Sequence, residues 1–152
     1  MGTRSLTYIE ESWETAIADE DNNNEVHKET QNILCMYRQY DGYLDGHGRE
    51  LAEFLQGFNI VNGLSIDVPE RTANGVHCLA AQLIAYFKDG PGGIYIYHSD
   101  AKDCGEEFTY TIYEKKGKVS IRAYYVCSNK VIFDGSPEDM IAEIGMEKQA
   151  ID

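Results

Sequence analysis

Residues 32–58 read NILCMYRQYDGYLDGHGRELAEFLQGF, and this stretch predicts a strand, a glycine-rich turn and a helix. Residues 33–40 are mostly apolar, β-branched or aromatic, which favours a half-buried strand. Asp41 ends that strand, and three glycines in the seven residues that follow permit a turn with positive φ angles. From His47 onward the apolar residues recur at the spacing of a helix with one buried face. Gly57 is the predicted end of this helix.

The predicted turn concentrates side chains that could bind a ligand or a partner. They are Arg38, Tyr40, Asp41, Tyr43, Asp45, His47 and Arg49. One hypothesis is a binding surface. A second is a small hydrolase in which Asp41 is the general base and His47 the general acid, because both lie on one turn.

Two blocks of the sequence resemble a known family. Residues 2–6 read GTRSL and residues 37–55 read YRQYDGYLDGHGRELAEFL. They are similar to an uncharacterised family of small proteins of bacteria and their phages, whose members open with a GTR-S/G-L strand and later carry a Y-x-x-[WYF]-D-[GS]-Y-x-x-G-x-G segment. Leu44 stands where proline is usual in that segment. The resemblance implies a phage or mobile-element accessory protein, and it implies no catalytic residues.

Composition and charge limit the classes of function. The chain has 152 residues, of which 43% are hydrophobic, and its net charge is −13. This length and composition predict one globular domain over residues 1–152, and the acidic balance argues against direct binding to nucleic acid. Residues 1–30 carry eight acids, and residues 134–152 carry six. These acidic ends are interpreted either as solvated surface or as a face that docks on a basic partner.

The four cysteines are widely spaced and form no C-x-x-C pair. No secretory signal and no apolar run of membrane-spanning length is present, so the sequence predicts a cytoplasmic setting with free thiols. The resemblance described above implies that this setting is a bacterial host cell. Residues 98–104 and 41–47 contain potential metal ligands, but their spacing matches neither a zinc nor a calcium site. We expect no metal and no cofactor.

The rest of the chain predicts an α+β fold in the element order ββααβββ(β)α. Strands are predicted at residues 3–9, 33–40, 94–98, 108–113, 119–126 and 130–133, and helices at 47–57, 76–87 and from Ser136 to about Gly145. Residues 10–24 are expected to form a loose acidic loop, and the tail after 145 is expected to be frayed. Because strands and helices segregate, we expect an antiparallel sheet of about five or six strands with the helices packed on one face.

A further set of residues suggests a nucleotide. Arg4, Arg38 and Arg122 each lie in a predicted strand near tyrosines such as Tyr40 and Tyr124. Arginine suits phosphate and tyrosine suits a base, so these residues would form a pocket wall if the strands were neighbours.

The sequence therefore predicts a small acidic accessory protein that acts by non-catalytic binding. The leading interpretation is an anti-CRISPR-like inhibitor of a host nucleic-acid-handling defence complex. The alternatives are a protein that sequesters a nucleotide immune signal and the hydrolase described above. The expected partner is a host protein with a basic surface or a nucleotide-like small molecule, and no contact with a membrane is expected. The sequence is compatible with a monomer or a homo-oligomer.

Overall fold

The computed structural model describes residues 2–18 and 24–151. Within these residues the chain forms eight strands, three α-helices and one π-helical turn. The strands are β1 (Ser5–Ala18), β2 (Asn24–Arg38), β3 (Asn59–Val61), β4 (Thr72–Asn74), β5 (Ile94–Tyr97), β6 (Phe108–Lys115), β7 (Lys118–Tyr125) and β8 (Lys130–Gly135). The π-helical turn is Leu44–Gly48, and the helices are α1 (Arg49–Leu55), α2 (Gly75–Phe87) and α3 (Pro137–Ile151).

These strands belong to one strongly curled sheet that forms a half-barrel. Their order is β4-β3-β7-β6-β1-β2-β5, and β8 also pairs with β7. β1 runs parallel to β6, and β3 runs parallel to β4. The remaining pairs are antiparallel.

The predicted α+β fold with an antiparallel sheet of five or six strands is therefore wrong. The fold is a mixed α/β arrangement in which strands dominate. Two causes account for the error. β3 and β4 have only three residues each and lie beside turn signals, and the parallel pairing of β1 with β6 joins residues about a hundred positions apart, which local periodicity does not encode.

β1 and β2 are much longer than predicted, and they form a two-stranded ribbon beyond the rest of the sheet. The pairing of β1 with β6 ends at Ile9, and the pairing of β2 with β5 ends at Cys35. Residues 10–18 and 24–32, here called the arm, pair only with each other in the described part of the chain. The loose loop expected near 10–24 is thus strand as far as residue 18, and residues 19–23 lie outside the described residues.

The main core lies between the helices and one face of the sheet. Its fully buried side chains come from both layers and include Ile9, Met36, Leu51, Leu79, Leu83, Tyr110, Ile112, Ile121 and Met140. Because side chains alternate along a strand, Thr7 lies on the same face of β1 as Ile9. Leu6 lies on the opposite face, in a smaller cluster with Cys35 and Tyr37.

Several local predictions are confirmed. α2 spans Gly75–Phe87, close to the predicted 76–87, and the strands predicted at 108–113 and 119–126 lie in β6 and β7, which pair antiparallel. Ser136 caps α3, since its Oγ accepts a hydrogen bond from the Asp139 N–H over 3.1 Å. The helix then continues to Ile151, past Gly145, where it was expected to end.

The glycines of the central turn serve a purpose other than the one predicted. Gly42, Gly46 and Gly48 do not have positive φ angles, whereas Asp41 has a φ of 59°. These glycines allow close packing instead: a Cβ on Gly46 would lie 2.4 Å from the Asp41 carbonyl oxygen, and one on Gly42 would lie 2.9 Å from the Thr3 carbonyl oxygen. The turn therefore requires glycine at these two positions, because a Cβ there would clash with neighbouring backbone atoms.

Candidate functional site

Hydrogen bonds hold the turn between β2 and α1 against the residues just before β1 and against β6. The Gly42 N–H donates to the Thr3 carbonyl over 2.9 Å, and the Tyr110 hydroxyl donates to the Gly42 carbonyl over 2.7 Å. The His47 N–H donates to the Asp41 carbonyl over 2.6 Å. This fastening places the His47 ring inside the core.

His47 is fully buried, at 0% exposure, and both of its ring nitrogens are engaged. Nε2 lies 2.7 Å from Thr7 Oγ1, and Nδ1 lies 2.9 Å from Arg38 Nη1. The ring packs against Phe87 and Tyr110, with centroid separations of 5.1 and 5.3 Å.

The chemistry of these partners fixes the tautomer of His47. An arginine only donates hydrogen bonds, so Nδ1 must accept from Arg38. Nε2 therefore carries the proton and donates it to Thr7 Oγ1. Burial, followed by the nearby Arg38 charge, lowers the pKa of His47 to about 3, so the ring stays neutral near pH 7.

This arrangement does not provide the acid–base pair that the hydrolase hypothesis requires. A ring with a pKa near 3 holds no spare proton at neutral pH, and its nitrogens are occupied by Thr7 and Arg38. The Thr7 hydroxyl accepts from the ring, which is the reverse of nucleophile activation. Asp41 meanwhile lies exposed at the surface. The His47 cluster is a structural network.

Arg38 extends this network to the surface. Its side chain is nine-tenths buried, and its Nη1 donates both to His47 and to Glu50 Oε2 at the start of α1. A buried cation needs such partners, since desolvating an unpaired charge costs several kcal/mol. The Arg38–Glu50 pair borders a cleft of about 300 Å³, which is open to solvent.

The other predicted residues of the turn lie at the surface. Tyr40 and Tyr43 are half-exposed, and Asp45 forms an ion pair with Arg49 one helical turn later, with Arg49 Nε donating to Asp45 Oδ1 over 2.6 Å. That i, i+4 pair satisfies the carboxylate locally. Tyr40 is the one of these four that lines the cleft beside Arg38.

The three arginines of the nucleotide hypothesis do not converge. β7, which carries Arg122 and Tyr124, is separated from β1 by β6. Arg38 points into the helix side of the sheet, whereas Arg122 lies on the other side, where it pairs with Asp134 over 3.4 Å. Arg4 is exposed just before β1. The predicted wall of three arginines is thus divided between two faces.

The described residues do not meet the requirements of a metal site, a disulfide or a membrane-spanning helix. Among residues 2–18 and 24–151, no group of three or more His, Cys, Asp or Glu side chains is arranged to hold a metal ion. The four cysteines are free thiols: Cys35 is buried, Cys78 and Cys104 are partly buried, and Cys127 is exposed. No helix within these ranges is long and apolar enough to cross a membrane.

Sequence reasoning missed several residues that build this region. Thr7 comes from β1 and Phe87 from the end of α2, and both contact a histidine forty residues away in the chain. Glu50, at the start of α1, was not among the predicted site residues. The alternation of β1 could have assigned Thr7 to the core face, but no sequence signal connects that face with the turn.

Comparisons with known proteins give no assignment. No protein-family model matches the chain, and neither a curated protein nor a solved structure matches it.

Proposed function

We propose that this protein acts without catalysis, by docking its arm on a protein with a basic surface. The observation that carries the proposal is the arm itself, which extends beyond the strands on either side of it. Two-stranded ribbons are marginally stable alone in water, and their free edges offer backbone groups to another chain. A partner that covers the arm would satisfy these groups.

The charge of this region selects the kind of partner. Residues 10–32 contain eight acids, namely Glu10, Glu11, Glu14, Asp19, Glu20, Asp21, Glu25 and Glu29, and a single lysine, Lys28. Residues 12–15 and 26–31 are exposed. An acidic surface speeds association with basic surfaces and disfavours acidic ones, a second copy of this chain included.

Trp13 gives the arm an anchor for such a contact. Its side chain is 39% exposed and its neighbour across the ribbon is Glu29. Tryptophan is enriched among the residues that dominate binding energy at interfaces. The indole lines a surface groove together with both acidic and basic side chains, Glu14, Lys28, Glu114 and Lys116. It therefore fits a contact with an apolar centre and a charged rim.

The base of the arm is held in place by contacts with the body of the protein. Glu11 accepts a hydrogen bond from Gln31 across the ribbon and lies 3.3 Å from His77 Nε2, near the start of α2. This contact limits the directions in which the arm can point. Limited freedom before binding reduces the entropy lost on binding.

The partner that we propose is a nucleic-acid-handling defence complex of a bacterial host. Complexes that handle nucleic acid carry basic surfaces, and the resemblance of residues 2–6 and 37–55 to small bacterial and phage proteins supports this setting. By covering such a surface in the host cytoplasm, the acidic arm would act as an inhibitor.

Affinity capture with charge-reversed variants tests this proposal. The tagged protein is incubated with lysate of bacteria that express a defence complex, and the double variant Glu14→Lys with Glu29→Lys is compared with Glu53→Lys with Glu70→Lys. All four residues are exposed, and the second pair changes the charge equally outside the arm. We expect the natural chain and the control to retain one basic complex that elevated salt releases, and the arm variant to lose it. Equal retention by both variants would contradict the proposal.

A further inference from the structure

A second feature, independent of the arm, is the cleft between the end of β2, the start of α1 and the end of α2. It is lined by Arg38, Tyr40, Glu50, Tyr86, Phe87 and Ile94 and has a volume of about 300 Å³. That volume is at the lower end of the range of small-molecule sites. It suits one nucleobase-sized group.

Arg38 supplies unused hydrogen-bond donors to this cleft. Only 8% of the residue is exposed, and its Nη1 is engaged by His47 and Glu50. The guanidinium carries three more N–H groups, on Nε and Nη2, and none of them has an acceptor within residues 2–18 and 24–151. Because the buried His47 fixes the guanidinium, these donors are positioned before any ligand arrives.

Glu50 places an acceptor beside those donors. Its side chain is 45% exposed, and Oε2 is the oxygen that contacts Arg38. The charges of Arg38 and Glu50 cancel, so the pair does not select a net anion. The pair therefore matches a neutral, planar ligand that carries a hydrogen-bond acceptor next to hydrogen-bond donors along one edge.

Aromatic rings form the sides of the cleft. Tyr40 and Tyr86 are 49% and 54% exposed, and the Tyr86 ring is supported by stacking on Phe54 at 4.5 Å and by an edge contact with Phe87 at 5.0 Å. Half-exposed, supported rings are stacking surfaces for a base. Stacking alone does not distinguish one base from another.

We propose that this cleft binds the guanine base of a small nucleoside or nucleotide. Guanine presents O6 and N7 as acceptors, which fit the free donors of Arg38, and its N1–H and N2–H groups fit the carboxylate of Glu50. Adenine carries an amino donor where guanine has O6, so it would set a donor against the donors of Arg38. The net charge of −13 opposes a nucleic-acid strand, so the ligand is the free small molecule.

Calorimetric titration with guanosine, inosine and adenosine tests this proposal. Inosine lacks the N2 amino group and loses one hydrogen bond to Glu50, so we expect about tenfold weaker binding than for guanosine, which corresponds to about 1.4 kcal/mol. Adenosine should bind more weakly still. Failure of guanosine to bind at millimolar concentration, or an equal affinity for adenosine, would overturn the proposal. Tighter binding of a guanine-containing tetranucleotide would overturn the restriction to a free small molecule.

Variants locate the binding within the cleft. Glu50→Gln keeps an oxygen for Arg38 but removes the second acceptor, and it should abolish the preference for guanosine over inosine. Tyr86→Leu should weaken all three nucleosides together, because it removes stacking. Glu53→Gln, one turn along the same helix and exposed, is the matched control and should bind as the natural chain does. If Glu50→Gln fails to fold, the order of the three nucleosides on the natural chain still decides the outcome.

Discussion

Thr7 provides the hydrogen-bond acceptor for the Nε2 proton of the buried His47 ring. The buried Nε2–H has the Thr7 hydroxyl as its acceptor, 2.7 Å away, and leaving a buried donor without an acceptor costs about 1–3 kcal/mol. The nearly isosteric change Thr7→Val removes the acceptor and little volume. We expect it to lower the free energy of unfolding by about 1–3 kcal/mol, measured by urea denaturation.

Ser5, two residues earlier on the same face of β1, is the matched control. Its Oγ is buried and has no hydrogen-bond partner among the residues that the structure describes. Removing an unsatisfied polar atom relieves a desolvation penalty, so Ser5→Ala should leave stability unchanged or raise it by about 1 kcal/mol. Equal losses in the two variants would show that the His47 bond is not the cause.

His47 also predicts a pH dependence of stability. The ring has a pKa of about 3 in the folded protein, against 6.5 for the unperturbed group. Between these values only the unfolded chain takes up the proton, so the stability is full above pH 6.5 and falls as the pH drops. The loss is about 1.4 kcal/mol per pH unit. Urea denaturation at pH 7 and pH 5 should show a larger loss for the natural chain than for His47→Gln, and equal losses would contradict the account.

At the scale of elements, the turn before α1 depends on close backbone approach. A Cβ on Gly46 would lie 2.4 Å from the Asp41 carbonyl oxygen, and relieving this clash must move backbone. Gly46→Ala should therefore lower the free energy of unfolding by about 1–3 kcal/mol. In Gly145→Ala, no described atom outside the adjacent residues and backbone of α3 lies within 4 Å of the added Cβ, and the change should stabilise α3 by about 0.5–1 kcal/mol. Thermal denaturation of the two variants checks the contrast.

Elements encoded within a short window were predictable, and elements that depend on distant partners were not. The apolar pattern of α2 and the start of α3 at Ser136 are each encoded within a few residues, and both helices are confirmed. The strand in residues 10–18 was mistaken for a loop because its acids suggested one, although Trp13, Thr15 and Ile17 alternate as in a strand. Its partner is residues 24–32, and for residues 25–32 the sequence allowed either an extension of the second strand or a short connection.

In the candidate site, too, the residue types could be predicted from the sequence, but the contacts between distant residues could not. The sequence singled out Arg38 and His47 by residue type, but it did not show that one is nine-tenths buried and the other completely buried. Burial depends on β1, β6 and α2 meeting at the turn, and those contacts involve Thr7, Tyr110 and Phe87. Residue type indicated useful chemistry, and only the fold showed that the histidine is structural.

At the scale of the whole molecule, two surfaces with different properties are available. The arm is acidic and extended, and it suits a basic macromolecule. The Arg38 cleft is small and electrically balanced, and it suits a planar small molecule. The two share no lining residue, so variants of one should leave binding at the other unchanged.

Hydrogen exchange on the captured complex tests the central claim most directly. Amides at residues 10–18 and 24–32 have only each other as strand partners, so they should exchange quickly in the free protein. Binding of the basic partner should slow exchange throughout the arm, while amides of α3 stay unchanged. Protection confined to another surface, with the arm exchanging as fast as before, would contradict the account.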